Sequence, residues 1–377
     1  MLVWQKEKSI PTCKVAIAGD YLPASGLQLP PNRTWQDVAS SFRRYFAKAD
    51  VVILNLECCV DVGDAEAQPK IGLGDSFSAE SGVLDFPVTL GAKVVGLANN
   101  HIYDFGAEGA ARTQRALLDR GLTPLGIGRT LSEPPHTYLA ETPAGQCIGV
   151  WAAARHLPNL ATRKKPGIEP ATRRRAEEAI AELSKQNAGM KIAYLHAGLE
   201  RTNRPDPDDV TLMDDLAKMG FDVVAACHSH RISGQKTMVR GDGSSSFCFY
   251  GLGSISSGVI YSALEREGLV VILGLSETGE LVRVDAHPVH LEESGWGRIP
   301  LFGDAYATLT RFVQLSEEIE SGAYKQNFYA DLRGDFFRKY YRDIQAALQN
   351  GGMRGLATKL GRIRMRHLNR ALQRSMG

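Results

Sequence analysis

Short apolar runs that stop abruptly on a polar side chain recur along this chain. Val15 to Ala18 leads into Gly19-Asp20, Ala49 to Leu56 (ADVVILNL) delivers Glu57, and Val94 to Leu97 gives way to Asn99-Asn100-His101. Further on, Lys191 to Leu195 (KIAYL) delivers His196, and Phe221 to Ala226 (FDVVAA) leads to His228 and His230. Runs this short, bounded by turn formers, predict buried strands. Between them the apolar spacing changes to three or four residues. It predicts helices around Trp35 to Ala47, from Ala107 to Arg120 before Gly121, from Arg173 to Asn187, and from Asp208 to Met219 before Gly220. Asp61 to Phe86, rich in Gly, Asp and Ser, reads as a loop.

Strand-like pieces near Tyr138 and from Cys147 to Ala152 extend the series. After Ser246 the texture changes: Ser246 to Tyr250, Leu269 to Leu275 and Leu281 to Val289 read as strands joined by turn-rich segments. An antiparallel flank on a core of strand-helix units accounts for both textures, giving an α/β fold. From about Ala305 the chain turns helical and polar, so residues 1–300 are expected to form the main domain and 301–377 a helical, basic extension.

Composition narrows the class without naming a partner. Of the 377 residues, 44% are apolar and 23% charged, ordinary for a globular protein, and the formal charge is only +2. The six cysteines show no framework spacing, which favours free thiols and a reducing compartment. No run is long enough to span a bilayer and the start lacks the apolar core of a signal peptide, so a cytoplasmic location is expected.

Sites in open α/β sheets form beyond the carboxyl ends of the strands, where Asp20, Glu57, Asn100, His196, His228 and His230 can converge. Two carboxylates, an amide and three imidazoles make a borderline-hard N/O donor set, suited to Mn, Fe or Zn rather than to a thiolate zinc site. Their number suits two adjacent divalent ions, with a bridging hydroxide as nucleophile and His101 as a proton donor. Each piece also has a plainer reading. Gly-Asp is commonly a turn, Asn-Asn-His an Asx-turn, and His-Ser-His an even-odds metal pair with both imidazoles on one side of an extended segment. It is the joint occurrence, each at the end of an apolar run, that singles the set out.

The ordered set Gly19-Asp20, Asn55-Leu56-Glu57, Asn99-Asn100-His101 with Asp104 and Gly106, His196-x-Gly198-x-Glu200, His228-x-His230 and Tyr250-Gly251-Leu252-Gly253 resembles the bacterial capsule and poly-γ-glutamate synthesis family (CapA or PgsA-like). That family is a branch of the calcineurin-like metallophosphoesterases, and the resemblance covers about residues 13 to 260. It implies a four-layer αββα sandwich with a dinuclear site at the strand ends. It also implies metal ligands at Asp20, Glu57, Asn100, His196, His228 and His230, and a catalytic histidine at His101. The chain departs from the pattern in places. Tyr21-Leu22 follows Asp20 where the wider superfamily has x-His, Cys227 replaces a histidine, and Ser254 replaces an asparagine.

Glu200, Asn99, Asp104 and Arg155 are expected to bind substrate. Clusters at Arg155-His156, Arg163-Lys164-Lys165 and Arg173-Arg174-Arg175 suggest an anionic small molecule or polymer, against the plainer reading of a solvated face. The basic run from Arg354 to Arg374 alternates with apolar residues and is the one expected place of membrane contact. No aromatic interleaving favours nucleic acid. The leading expectation is a metal-dependent hydrolase of a phosphoester or of an amide or γ-glutamyl bond in capsule-type polymer metabolism. The alternatives are a non-catalytic accessory of a polymer synthase complex and a small-molecule tailoring enzyme using the same site.

Overall fold

The computed structural model describes residues 1–6, 9–24, 27, 29–63, 76–142, 145–155 and 157–331. The basic run from Arg354 to Arg374, and His156, lie outside them. Two β-sheets face each other. The first runs in the order Leu2–Gln5, Leu281–Leu291, Glu267–Leu275, Cys13–Leu22, Val51–Leu56, Ala92–Gly96, Thr123–Leu125, with Ser254–Ser257 paired to the end of Cys13–Leu22. The second runs Gln235–Val239, Ser245–Phe249, Val223–Cys227, Met190–His196, Cys147–Ala154, Thr137–Glu141.

The two textures of the sequence separate in space. Cys13–Leu22, Val51–Leu56, Ala92–Gly96 and Thr123–Leu125 pair in parallel, and Glu267–Leu275 and Leu281–Leu291 add to them as an antiparallel flank. Parallel strands covered on both faces must be apolar almost throughout, which is why Val51–Leu56 is buried at every position.

Three apolar clusters give the layering. Val15, Ile17, Ile53, Val150, Ile192, Val223 and Phe249 fill the space between the sheets. Phe42, Phe86 and Leu117 belong to a cluster on the outer face of the first sheet, and Ala176, Leu183, Met213 and Leu216 to one on the outer face of the second. The result is the αββα sandwich expected from the resemblance. The expected helix from Trp35 to Ala47 is two pieces, Trp35–Ser40 and Arg43–Phe46. The Ser41 hydroxyl donates to the Val38 carbonyl at 2.7 Å, competing with the backbone where the first helix ends. The expected loop from 61 to 86 carries, in its described part, a 3₁₀ turn at Ser81–Leu84 and a short helix Asp85–Thr89.

The helix Phe302–Ser321 packs on the sandwich. Phe312 and Leu315 are buried in the inter-sheet core, Phe312 stacking on Phe249 with ring centroids 6.4 Å apart, and Ile319 joins the cluster outside the second sheet. Arg204 fastens it through Glu318, at 2.7 Å to both carboxylate oxygens, and through Asp331 at 2.8 Å.

A side-chain hydrogen bond ties the two sheets across the interior. The buried Tyr194 hydroxyl crosses the interior to donate to the Ala18 carbonyl at 2.7 Å. Two residues further along each strand stand His196 and Asp20. At Gly96, below the ring, an added Cβ would come within 3.0 Å of Tyr194 Cε1, so a side chain there would crowd this crossing.

Candidate metal centre

The strand-end residues named from the sequence meet between the carboxyl ends of the two sheets. Asp20 is fully buried. Its Oδ1 accepts from Asn55 Nδ2 at 2.8 Å and its Oδ2 from the His228 backbone N–H at 2.9 Å. It reaches this position because Gly19 lets the strand pass against Gly253, whose carbonyl a Cβ at residue 19 would meet at 2.0 Å. Glu57 follows the next strand and is also fully buried. Its Oε1 lies 3.5 Å from His196 Nε2 and 3.7 Å from His230 Nε2, and neither of its oxygens makes a hydrogen bond.

Asn100 Oδ1 is 2.8 Å from His196 Nε2, and the His196 and His228 rings lie 4.4 Å apart. His228 Nδ1 is likewise buried without a hydrogen-bond partner. Two donor sets therefore share Glu57: Glu57, His196 and His228, to which Asn100 is adjacent, and Asp20, Glu57 and His230. In each, the candidate ligand atoms lie within 4.8 Å of one another.

A buried carboxylate with both oxygens lacking hydrogen bonds costs free energy unless a cation meets it. The donor set thus fits divalent ions of borderline hardness. The charges agree. Burial and then the Asp20 charge hold the Glu57 carboxyl well above its ordinary value. Burial pushes His196 and His228 down to about 3, so both imidazoles are neutral and can offer lone pairs. Burial works against charge on Asp20 and His230 as well, but His230 and His196 hold Asp20 low, while Glu57 and Asp20 hold His230 high.

His228 and His230 are not on an extended segment as their spacing suggested. Both have positive φ, 113° and 54°, in a turn after Val223–Cys227. The turn folds the His228 N–H onto Asp20, and non-glycine residues hold such angles only where the surroundings over-determine them.

His101 is buried near these donor sets, where its charge acts on His196, with its Nδ1 2.8 Å from Asp104 Oδ2 and its ring 4.4 Å from that of Phe77. Asp104 also accepts the Phe77 N–H at 2.8 Å. Asn99 is fully buried. Its amide donates to Asn55 Oδ1 at 3.1 Å and to the Leu56 carbonyl at 2.7 Å, and its oxygen accepts the His101 N–H. Asn99 and Asp104 are thus supports of Asp20, Glu57 and His101, and their side chains are engaged within the protein.

Glu200 is exposed beside the centre, and its charge acts on Glu57, His196, His228 and His230. Next to it Arg201 stacks its guanidinium 3.7 Å over the Tyr261 ring. Arg155 stands apart. Its backbone N–H donates to His196 O, but its guanidinium turns to the helix Pro207–Met219, bonding the Asp208 carbonyl at 2.7 Å and lying 3.1 Å from Asp209 Oδ1.

Sequence reasoning missed the roles of Asn55 and Tyr194 and treated Cys227 only as a departure. The Cys227 thiol is buried with Sγ 3.6 Å from His196 Nδ1, and Asp20, His196 and Cys227 form a third close group. Leu22, where the wider superfamily has its histidine, is a buried apolar residue, and Ser254 Oγ lies 3.4 Å from His230 Nδ1.

Residues 14–258 match the family described as bacterial capsule synthesis protein PGA_cap. The chain belongs to that family. Among this family member's relatives, the capsule biosynthesis protein CapA of Bacillus anthracis is 22% identical over 253 residues, 66% of this chain and 60% of that protein. A probable polyglutamine synthesis accessory protein of Mycobacterium tuberculosis is 29% identical over 148 residues, 36% of this chain and 39% of its own length. The chain thus spans less than two thirds of either relative. Among solved structures, a 5′-nucleotidase precursor from Thermus thermophilus aligns with 80% of this chain and 58% of its own, at 15% identity and a TM-score of 0.47. Among the described residues no helix is long and apolar enough to cross a membrane.

Proposed function

We propose that this capsule synthesis family member is a metal-dependent hydrolase of the metallophosphoesterase type. It acts on a phosphoester, or on an amide or γ-glutamyl bond, of an anionic substrate in capsule or poly-γ-glutamate-type polymer metabolism. The observation that carries the reading is Glu57, a fully buried carboxylate with neither oxygen hydrogen-bonded, shared by two sets of imidazole and carboxylate donors.

Glu57, His196, His228 and Asn100 would hold one divalent ion of the Mn, Fe or Zn kind, and Asp20, Glu57 and His230 a second. Such ions, when bound, supply Lewis acidity toward a developing oxyanion and ease the ionisation of water. The chain's own residues do the rest. Asp104 fixes the His101 ring by accepting at Nδ1, which leaves Nε2 to carry the proton for a leaving oxygen or nitrogen. Asn99 holds the main chain of His101 and, through Asn55, the carboxylate of Asp20. Glu200 and Arg201 at the rim would orient the substrate.

A second reading, a binding accessory without turnover, draws on Leu22, which leaves the set around Asp20 one imidazole short of the wider pattern. Hydrolysis of an aryl phosphodiester by protein purified without chelator separates the two. Activity lost in both His101→Ala and His228→Ala supports the hydrolase. Activity that persists unchanged in both variants contradicts it.

A further inference from the structure

A second gathering of charge lies at the other end of the first sheet, around a cavity of about 550 Å³. Lys14 comes from the beginning of Cys13–Leu22, Arg43 and Arg44 from the short helix Arg43–Phe46, Lys48 from the turn after it, and Arg283 from Leu281–Leu291. Lys14 and Asp20 are six residues apart on one strand, roughly 20 Å at about 3.3 Å per residue, so the cavity is separate from the metal centre.

The charge there is not balanced. Asp285, the carboxylate in the cavity wall, is committed to Arg283 through bonds of 2.5 and 2.9 Å. Asp50, next to Lys14 across the sheet, accepts the Lys14 backbone N–H at 2.8 Å. Among the described residues, no carboxylate lies within ion-pair distance of the side chains of Lys14, Arg43, Arg44 or Lys48. The neutral part of the wall is ordered. The Tyr45 ring lies 4.7 Å from that of His287, with its hydroxyl donating to the Pro288 carbonyl at 3.0 Å, and Ile272 and Gly274 line the cavity beside them. Burial, and after it positive charge that includes Arg44 and Arg283, push His287 down to about 4, so the imidazole adds no charge of its own.

We propose that this cavity binds a multiply charged oxyanion, carboxylate or phosphate, at a site distinct from the metal centre. Four cations without a carboxylate partner line one concavity, and a multivalent anion can meet several of them at once. Two adjacent arginines offer planar forks that pair with carboxylate or phosphate oxygens bidentately. The ring pair and the apolar wall give room and contact for a compact organic body. The site stands whether or not the metal centre turns over substrate.

The test is isothermal titration of the full, metal-loaded chain at ~0.15 M salt, where the screening length is about 8 Å and diffuse surface attraction fades. Two weakly chelating probes serve, benzene-1,3,5-tricarboxylate and phenylphosphonate. The expected result is saturable binding of at least one probe, weakened about tenfold or more in Arg43→Glu/Arg44→Glu. The same binding should be unchanged in Lys185→Glu/Lys218→Glu, which makes the same change in net charge on the far helix layer. The probe that binds more tightly identifies the oxyanion. Absence of saturable binding by both probes overturns the proposal. So does equal weakening in the two double variants, or binding indifferent to Arg43 and Arg44.

Discussion

Within the candidate centre, neighbouring residues divide the work between meeting a cation and holding the groups that do. Asn100 faces His196, while Asn99 beside it is wholly committed to Asn55, Leu56 and the His101 backbone. Asp104 plays the same supporting part for His101, whose tautomer and orientation it fixes at 2.8 Å. Asp104→Asn should therefore lower kcat on an aryl phosphodiester by about 10²-fold or more with little change in bound metal. Parallel loss of metal and activity would instead make Asp104 a determinant of the centre itself. The residues that gather at the candidate centre could be singled out in the sequence because each follows a short apolar run. Their supports read differently: Asn99 and Asp104 were expected to bind substrate, Asn55 and Cys227 stood out only within the family pattern, and Tyr194 lies inside an apolar run. The strained turn at His228 and His230 was also hidden, because it depends on the carboxylate of Asp20, more than 200 residues away.

At the scale of elements, the centre depends on how two sheets are held at one height. The Tyr194 hydroxyl is one link between them, donating from the second sheet to Ala18 in the first. Tyr194→Phe leaves a buried carbonyl without this donor and should cost about 1–3 kcal/mol in denaturant unfolding. It should also weaken metal affinity, since His196 and Asp20 stand two residues beyond the bond; unchanged affinity would show that the sheets are aligned without it.

The helix Pro207–Met219 presents Asp209 near its start, buried, with Arg155 at 3.1 Å. Burial raises its carboxyl to about 7 against the pull of Arg155. The unfolded chain loses this proton near pH 4, whereas the folded protein keeps it to about 7. Folding stability should therefore fall as pH rises through that window and level off above it, by at most about 1.4 kcal/mol for each pH unit between the two values. Asp209→Asn should flatten this part of the stability profile. An unaltered profile in the variant would remove Asp209 as its source.

Over the whole molecule, the α/β class was readable from the alternation of apolar runs with helical spacing and the antiparallel flank from the change of texture after Ser246, whereas the αββα layering was implied only by the family resemblance. Edge strands escaped notice: Leu2–Gln5 and Gln235–Val239 are only partly buried, so neither carries a long apolar run. The helix Phe302–Ser321 begins the stretch expected as a helical extension, and its Phe312 and Leu315 help fill the space between the sheets, a placement set by partners such as Phe249 that its own sequence does not name.

All of this converges on a buried, acid-and-imidazole centre whose Glu57 has neither oxygen in a hydrogen bond. The most direct measurement is the metal content of the chain purified without chelator, by elemental mass spectrometry, beside that of His228→Ala. About two equivalents of Mn, Fe or Zn per chain in the wild type, reduced in His228→Ala, is the predicted result. A correctly folded wild-type protein that carries no metal, and takes up none when each of these ions is supplied, would contradict the account.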